Sequence, residues 1–380
     1  MSDSRHAYLQ QDRGDRARPG FFHRRRQSLR LLYRRLEEIV TSEWTAPGLR
    51  ILDYGCASKP YEALFKLKFK EYIGADLPGN QHAQIALKPD GTVPLDDQSV
   101  DCVLSTQVLE HVENPRLYLR EACRVVKPGG SLILSTHGMY RYHPDPADYW
   151  RWTIEGLRLE ISRAGFDVWR TYSIVRLSSW VLLLWQDAAL AKFPRFCHPL
   201  FTGVAQTAVG WLERHQPDLP SYDASLFLVV ATKSTLPPSL TDPEARRLAL
   251  ALADIQKVLP VTAKVIVVNE DHWDRALLAP RTTFPFLERD GEYWGSPGND
   301  RVAVSELERL GRSGAQHVVF SWQSFWWLTH YPRLQRYLTS RCRCLLANDR
   351  VRIFALPDFN AKTWFQKSPG KADGEGRAMS

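Results

Sequence analysis

Two acidic residues, Asp53 and Asp76, each end a short apolar run and stand 23 positions apart. A loop of small residues, Gly55 to Ser58, follows the first run, and a segment able to form a helix, Tyr61 to Phe69, precedes the second. Strand, tight loop, helix and strand make a βαβ unit, in which an acid ending the second strand can bind both hydroxyls of a ribose. The spacing therefore predicts a site for a nucleoside-containing cofactor.

The residues of the loop indicate which class of nucleoside-containing cofactor would bind there. A dinucleotide site needs a third glycine for close helix packing, and Lys59-Pro60 occupies the corresponding place. The carboxylate of Asp53 would also repel a pyrophosphate and suits a cationic ligand instead. S-adenosylmethionine carries an ammonium, a sulfonium and a ribose but no phosphate. We therefore predict a methyl-donor site at this loop.

The elements that follow would position further polar groups at the same edge. Val100 to Ser105 is predicted to be a buried strand, with a helical turn, Gln107 to His111, at its end. A helix over Pro115–Val126 and a strand over Ser131–Thr136 come next, and His137 lies just past that strand. Strands that alternate with helices predict a mostly parallel sheet covered on both faces, with ligands at the carboxyl ends of the strands.

Outside this central part, the sequence predicts a leading helix, one further helix, two last strands and an insertion. Apolar residues at helical spacing predict the leading helix from about Phe21 to Val40, which could cover the sheet or the cofactor mouth. Thr153–Ala164 is predicted to be a helix, and Phe166–Tyr172 and Ser225–Thr232 the last two strands. The insertion between those strands, rich in Trp, Leu and Ala, predicts a substrate lid or a partner surface.

Four segments resemble, in order and spacing, the motifs of class I S-adenosylmethionine-dependent methyltransferases, and most closely the type 11-like branch. They are ILDYGCAS, IGAD, PLDDQSVDCVLSTQVLEHV and RVVKPGGSLILST. The resemblance covers roughly residues 45–235 and implies a seven-stranded, Rossmann-like doubly wound sheet with a final antiparallel strand. It departs from the family at Ala57, where a second glycine is usual.

By the same resemblance, Asp53 and Gly55 contact the methionine end of the donor and Asp76 binds its ribose. Asp90 would lie near the adenine, and Thr106 with Gln107 would line the pocket. The implied cofactor-binding set is Asp53, Gly55, Ala57, Asp76, Leu77, Asp90, Thr106 and Gln107.

Two weaker resemblances bear on the acceptor. Residues 136–153 resemble a subset of the family associated with surface-polysaccharide and glycan synthesis, and the C-terminal part resembles an uncharacterised domain fused to enzymes of that kind. They imply O-methylation of a glycan or nucleotide-linked sugar. Two alternatives stay open: a lipid-linked or small aromatic acceptor, suggested by the apolar insertion, and a non-catalytic donor-binding assembly protein, suggested by the degenerate loop.

A hydroxyl acceptor needs a base, and the candidates are His137 and His143. The candidate substrate-binding residues are Tyr142, Asp145, Asp148 and Arg151. Asp148 and Arg151 could instead form an ion pair that fixes the loop, and we favour that structural role for them. We also expect Glu110 and His111 to be structural.

Composition sets the remaining expectations. With 380 residues, 44% of them apolar and 24% charged, the chain is long enough for two globular domains. Six cysteines without a CxxC pair predict a reduced, cytoplasmic chain without a metal site. The formal charge is +8, and residues 1–40 hold ten arginines against five acids. That excess leaves peripheral membrane contact open, whereas no nucleic-acid motif accompanies it.

The predicted organisation has four parts. A basic tail and leading helix occupy residues 1–44, and the methyltransferase domain spans 45–235 with a helical insertion over 173–223. A smaller α/β domain of unknown role spans 243–358, and a disordered tail follows over 359–380.

Overall fold

The structure is a computed structural model that describes residues 16–43, 48–66, 68–144, 147–215, 221–235 and 242–359. The chain divides between Arg246 and Arg247 into two compact units. The first unit carries the predicted cofactor motifs and the second contains a separate sheet. Residues 360–380, where the tail is predicted, lie outside the described residues.

The first unit is built on a seven-stranded sheet with the order β3-β2-β1-β4-β5-β7-β6. Its strands are β1 Leu49–Tyr54, β2 Phe69–Asp76, β3 Ile85–Ala86, β4 Val100–Thr106, β5 Val126–His137, β6 Phe166–Arg176 and β7 Ala224–Lys233. Strand β7 runs antiparallel to both of its neighbours, whereas β1 to β5 pair in parallel. The predicted Rossmann-like sheet with an antiparallel last strand is confirmed.

Six α-helices among the described residues of the first unit connect or cover these strands. They are α1 Arg26–Glu43, α2 Glu62–Phe65, α3 Pro115–Val125, α4 Ile154–Arg163, α5 Leu177–Lys192 and α6 His198–His215. Side-chain caps fix two of their starts: the Asn114 Oδ1 atom accepts from the Leu117 N–H, and the Thr153 hydroxyl accepts from the Gly156 N–H. Short 3₁₀ turns occupy Leu109–His111 and Arg195–Cys197.

Two predicted boundaries are wrong. The helix expected over Tyr61–Phe69 is a single turn, Glu62–Phe65, because Phe69 already pairs with Leu49 as the first residue of β2. Strand β5 likewise begins at Val126, before the two glycines, because Val126 pairs with Val100 of β4. In both places pairing with a neighbouring strand overrides the local helix or turn preference.

The two faces of the sheet bury separate apolar cores, and neighbouring residues of one strand enter different cores. Leu52 of β1 joins the core formed with α3 and α4, while Ile51 joins the core that contains Leu32 and Leu36 of α1. Helix α1 therefore covers one face of the sheet, as the apolar spacing of the leading segment predicts. Trp180 and Leu183 of α5 complete that second core.

The second unit contains a five-stranded mixed sheet with the order β13-β14-β12-β8-β9 and a separate β10–β11 hairpin. Its strands are β8 Lys264–Val268, β9 Thr282–Pro285, β10 Glu288–Arg289, β11 Glu292–Tyr293, β12 His317–Ser321, β13 Arg343–Ala347 and β14 Val351–Ala355. Its helices are α7 Pro243–Val258, α8 Asp300–Arg312, α9 Trp327–His330 and α10 Pro332–Arg341. In the part of the chain that is described, no helix of either unit combines the length and apolar character needed to cross a bilayer.

Candidate functional site

The loop after β1 is hydrogen-bonded to β2 and packs against Val108, just after β4. The N–H groups of Gly55 and Cys56 donate to the carbonyl of Ala75, at 2.8 and 3.1 Å. Gly55 has a φ of +86°, and a Cβ atom there would lie 2.5 Å from a methyl group of Val108. Only glycine satisfies both the backbone angle and the close approach. The loop therefore lies directly against the segment that follows β4.

Asp53 is buried at the end of β1. Its Oδ2 atom accepts a hydrogen bond of 2.7 Å from the hydroxyl of Tyr72, and its Oδ1 atom has no partner among the described residues. Burial raises the pKa of Asp53 to about 7. A buried carboxylate with an unsatisfied oxygen is costly unless a cation or a proton supplies the missing interaction. This geometry suits the positively charged end of a ligand.

Asp76 is engaged more fully than the sequence predicts. Its Oδ2 atom accepts from the N–H of Ala57 and from the side-chain amide of Asn80, each at 2.8 Å. Its Oδ1 atom accepts from the N–H of Leu77 at 2.7 Å. A carboxylate oxygen accepts about two hydrogen bonds, so Oδ1 keeps one acceptor position and Oδ2 keeps none. In this conformation Asp76 can receive one ribose hydroxyl rather than both.

Three other residues predicted to bind the cofactor differ in their surroundings. Thr106 ends β4 and is nearly buried, whereas Asp90 is exposed and accepts from the N–H of Thr92 at 2.9 Å. Gln107 has a φ of +59°, and its side-chain amide points to the Ser135 hydroxyl at 3.4 Å. Their roles toward the cofactor stay predictions.

Three histidines gather beyond β4 and β5. The ring centre of His111 lies 6.5 Å from that of His137 and 5.7 Å from that of His143, and the other two are 5.9 Å apart. The structure thus brings the two predicted bases together and adds His111. Among the residues that the structure describes, no group of three or more His, Cys, Asp or Glu side chains is arranged to hold a metal ion.

Glu110 is fully buried beside His137. The hydroxyl of Thr136 donates to its Oε2 atom at 2.8 Å, while its Oε1 atom lies 3.3 Å from the His137 Nδ1 atom without hydrogen-bond geometry. Burial raises the pKa of Glu110 to about 7 and lowers the pKa of His137 well below its ordinary value. Both shifts favour the neutral forms, so His137 is an uncharged imidazole at neutral pH.

The loop after β5 is held together by the ion pair of Asp148 and Arg151. The guanidinium donates to both carboxylate oxygens, at 2.6 and 2.5 Å, and to the carbonyls of Tyr140 and Arg141. Asp148 also accepts from the N–H of His143 at 2.6 Å. The pair that we favoured as a structural element is present, and a role for it in binding substrate stays a prediction.

The remaining substrate-binding candidates lie on the same loop. Tyr142 is 76% exposed, and Asp145 lies outside the described residues.

A ladder of stacked groups, which the sequence does not indicate, joins His137 to α5 and to the start of the chain. The ring of Tyr140 stacks on His137 with centres 3.8 Å apart and on Trp180 with centres 5.2 Å apart. The guanidinium of Arg25 lies 5.5 Å from the Trp180 ring. As a result His137 is only 2% exposed, whereas His143 is half-buried.

Asp187 of α5 collects three arginines from distant parts of the chain. Its carboxylate accepts from Arg25 at 2.6 Å, from Arg141 at 2.7 Å and from Arg24 at 3.4 Å. Part of the basic N-terminal charge is therefore used inside the protein. The sequence did contain a signal for a buried ion pair, because Asp187 is the only acid in the largely apolar residues 177–212.

A cavity of about 460 Å³ lies beside Tyr140, where β5 ends and β7 begins. It is lined by Gly138, Met139, Tyr140, Arg141, Arg151, Trp152, Thr153, Trp180, Leu184, Tyr222, Asp223, Ala224 and Phe227. Aromatic surfaces next to a few charged groups are typical of a site for a polar organic molecule.

Comparison with known proteins shows the family of this chain. Residues 21–169 match the description of a methyltransferase domain. An uncharacterized methyltransferase of Mycolicibacterium paratuberculosis is 30% identical over 174 residues, which cover 41% of this chain and 68% of that protein. The chain belongs to the class I S-adenosylmethionine-dependent methyltransferases.

Other relatives match over shorter segments. An uncharacterized methyltransferase of Mycobacterium sp. (strain JLS) is 35% identical over 105 residues, 25% of this chain and 42% of that protein. A ubiquinone biosynthesis O-methyltransferase of Maricaulis maris is 31% identical over 117 residues, 26% of this chain and 44% of that protein. The chain thus spans less than half the length of these two relatives.

Solved structures resemble the fold. A phosphoethanolamine N-methyltransferase 2 of Haemonchus contortus, in complex with S-adenosyl-L-methionine, is 16% identical with a TM-score of 0.36. The match covers 55% of this chain and 52% of that one.

The residues at the ends of β1 and β2 fit S-adenosylmethionine, the cofactor of the family. The unsatisfied Asp53 Oδ1 atom suits the ammonium of the donor, and the open position on Asp76 Oδ1 suits one ribose hydroxyl. Gly55 removes the side chain that would otherwise meet Val108. Among the described residues of this loop, no third glycine allows the close helix packing of a dinucleotide site. Lys59 stands there instead, and its ammonium donates to the Oε1 atom of Gln84 at 2.5 Å.

Proposed function

We propose that this chain transfers a methyl group from S-adenosylmethionine to a hydroxyl of a sugar, carried by a glycan or a nucleotide, in surface polysaccharide biosynthesis. The observation that carries the proposal is the histidine cluster at the edge of the sheet, in which the ring centre of half-buried His143 lies 5.7 Å from that of His111 and 5.9 Å from that of His137. A hydroxyl acceptor must lose a proton during transfer, and a neutral imidazole can take it.

The donor, when bound, supplies an electrophilic methyl group on a sulfonium. The acceptor oxygen forms the new bond to carbon as the carbon–sulfur bond breaks, and the bonding electrons stay on sulfur. Asp53 and Asp76 would hold the two ends of the donor, and the loop with Gly55 would let its backbone approach. The chain's main contribution is to hold donor and acceptor in line.

Within the cluster, His143 would take the acceptor proton. It is half-buried, whereas Tyr140 covers one face of His137. His137 and Glu110 would then keep the neighbourhood uncharged, because burial favours the neutral form of both. A second positive charge beside the new imidazolium would oppose the transfer.

The lining of the cavity supports a sugar as acceptor. Trp152 lines the cavity with an aromatic side chain that can pack on the C–H face of a sugar ring, and Arg141 and Asp223 can bind hydroxyls. A ring bound there would have to direct its reacting hydroxyl past Tyr140 toward the histidines.

A second candidate is a lipid-linked acceptor. Leu184 lines the cavity and is also 39% exposed on the outer surface of α5, so the cavity borders an apolar face of the protein. A sugar bound there could remain attached to a lipid carrier.

The test has two stages. Calorimetry with S-adenosylmethionine and with its demethylated product comes first, and absence of binding by a folded protein would overturn the proposal. The full chain is then incubated with methyl-labelled donor and separate pools of nucleotide sugars, polysaccharide and lipid-linked sugars. O-methyl sugar after hydrolysis is expected. Donor binding without transfer to any pool would favour the non-catalytic assembly protein.

The two histidines are compared in the same assay. His143→Gln should lower the transfer rate on the order of 10²-fold or more with donor affinity unchanged, as expected for loss of a general base. If His137→Gln has the larger effect, His137 is the base and Tyr140 must move aside during turnover.

A further inference from the structure

The insertion folds into a helical hairpin, residues 177–215, whose outer surface is apolar. Exposed apolar side chains recur at helical spacing along both helices. On α5 they are Leu177, Val181, Leu184, Trp185 and Ala188, and on α6 they are Leu200, Val204 and Trp211. Because the opposite faces of both helices already fill the core, these stripes are a second apolar face, which the described residues of the first unit leave uncovered.

The turn between the two helices is the most exposed part of this surface. All five residues of Lys192-Phe-Pro-Arg-Phe196 are exposed, and Phe196 reaches 84%. Two phenylalanines therefore project next to two cations. Aromatic side chains beside Lys and Arg are the usual anchors of a protein segment that lies in the interfacial layer of a bilayer.

The charge of the hairpin points the same way. The hairpin has two acids. The side chain of Asp187 is 4% exposed beneath the arginines that it binds, and Glu213, near the end of α6, is half-buried and accepts from the N–H of Arg176. Neither acid is exposed, whereas Lys192, Arg195 and Arg214 are. A surface of this kind complements an anionic one.

We propose that the helical hairpin docks the protein on the surface of an anionic lipid bilayer. Phe193, Phe196 and the apolar stripes would enter the boundary between headgroups and acyl chains, and Lys192 with Arg195 would remain at the phosphates. Binding would combine buried apolar area with electrostatic attraction of the cations to the anionic headgroups.

The charge pattern favours a bilayer over a second copy of this chain. Two copies paired through the hairpin would bring cations to a shared interface, and the two carboxylates of the hairpin, buried Asp187 and half-buried Glu213, are not exposed to meet them. Such a surface cannot complement itself in charge, although its apolar stripes could. The bilayer satisfies both the cations and the apolar side chains.

The hairpin also bears on how an acceptor reaches the cavity. Leu184 belongs both to the exposed stripe of α5 and to the lining of the cavity. Docking through this stripe would place the cavity beside the membrane surface, where a lipid-linked sugar is held. The docking itself does not depend on the proposed methyl transfer.

The experiment is sedimentation of the full chain with vesicles of phosphatidylcholine, alone or mixed with phosphatidylglycerol. We expect binding to the mixed vesicles that weakens as salt is added. The double variant Lys192→Glu/Arg195→Glu should weaken this binding on the order of tenfold or more. Phe193→Ser/Phe196→Ser should weaken it by a similar factor at every salt concentration.

A control removes two exposed apolar residues elsewhere, with the double variant Val261→Ser/Leu277→Ser of the second unit, where the residues are 58% and 47% exposed. It should bind vesicles like the unaltered chain. Calorimetric affinity for S-adenosylmethionine, unchanged in all three variants, shows that the first unit remains folded.

Three results would overturn the proposal. The first is equal binding to both kinds of vesicle, and the second is an equal loss of vesicle binding in the control variant. The third is a chain that does not bind vesicles but forms a dimer, which Phe193→Ser/Phe196→Ser converts to a monomer. The last result would assign the hairpin to a second copy. Since methyl transfer to a water-soluble sugar is assayed without lipid, docking and the proposed function can fail separately.

Discussion

The two sides of the sheet edge are constructed differently. The donor side, after β1 and β2, uses a short loop whose contacts come from backbone N–H groups and residues within about one βα passage. The proposed acceptor side, after β5 and before β7, is assembled from the N-terminal segment, the loop after β5 and the hairpin, which meet at Tyr140, Trp180 and Asp187.

This difference follows from the two ligands, because the methyl donor is common to the family and the acceptor is particular to one enzyme. A loop that holds a common donor needs a fixed backbone, and backbone requirements appear in sequence as glycines and acids at set positions. A surface for an acceptor needs side chains from several distant elements. We therefore expect changes on the donor side to alter donor affinity and changes on the acceptor side to leave it intact.

The largest effect is expected from Gly55→Ala. The new Cβ atom would lie 2.5 Å from Val108 at a φ of +86°. Left-handed strain costs about 1–2 kcal/mol and the overlap about 1–3 kcal/mol, so a loss near 3 kcal/mol in the free energy of unfolding is expected. Urea denaturation measures it, and donor affinity should fall as well.

Gly129→Ala is the matched control for backbone strain. Gly129 has a φ of +71°, but a Cβ atom added there would meet no other atom within 4 Å, and the residue lies at the far end of β5. Only the strain of about 1–2 kcal/mol is expected there, with donor affinity unchanged. Equal losses at both glycines would show that contact with Val108 is unimportant.

Asp187→Asn tests the acceptor side. It removes the charge that binds Arg25 and leaves that guanidinium, 20% exposed, without its carboxylate. Because Arg24 and Arg141 are mostly exposed, we expect a loss of about 2 kcal/mol rather than the 3–5 kcal/mol of a fully buried pair. Donor affinity measured by calorimetry should not change.

Glu38→Gln removes a carboxylate from the exposed pair with Arg35 and serves as the control, with a loss below about 0.5 kcal/mol expected. A drop in donor affinity with Asp187→Asn would contradict the separation of the two sides.

The donor side should respond to pH through Asp53. Its pKa is raised to about 7 by burial, and a bound cation favours the ionised form. Below pH 7 the proton must be displaced before the donor ammonium binds, so affinity should fall as pH falls. Between pH 8 and pH 6 the dissociation constant should rise roughly tenfold, about 1.4 kcal/mol.

In Asp53→Asn the pH dependence should disappear along with part of the affinity. Glu110→Gln is the comparison, since the pKa of Glu110 is also raised to about 7 but its carboxyl faces the histidines. If Glu110→Gln abolishes the pH dependence and Asp53→Asn does not, the cation site is misassigned.

The smallest effect is expected from Ala57→Gly. Ala57 has a φ of +44°, a left-handed conformation that costs alanine about 1 kcal/mol relative to glycine. The substitution should raise the free energy of unfolding by up to that amount, because glycine is also freer when unfolded. Donor affinity should stay within about twofold, and a large gain would mean that Ala57 weakens the donor site itself.

The antiparallel last strand was implied only by the resemblance to a family. The sequence by itself determined the alternation of strands and helices and the position of the donor loop. Each of these depends on local features: apolar runs of strand length, a glycine needing positive φ, and acids such as Asp53 at strand ends. Neighbouring residues set those preferences, so they can be recognised without coordinates. The helix expected after Tyr61 failed because pairing of Phe69 with Leu49 is not local.

Only the tertiary structure decided the state of the side chains at the site. It engaged Asp76 with Ala57 and Asn80, hid His137 behind Tyr140 and drew Arg25 to Asp187. It also turned the apolar stripe of α5 outward. Burial and long-range contacts depend on how distant elements pack, and no local pattern specifies that packing.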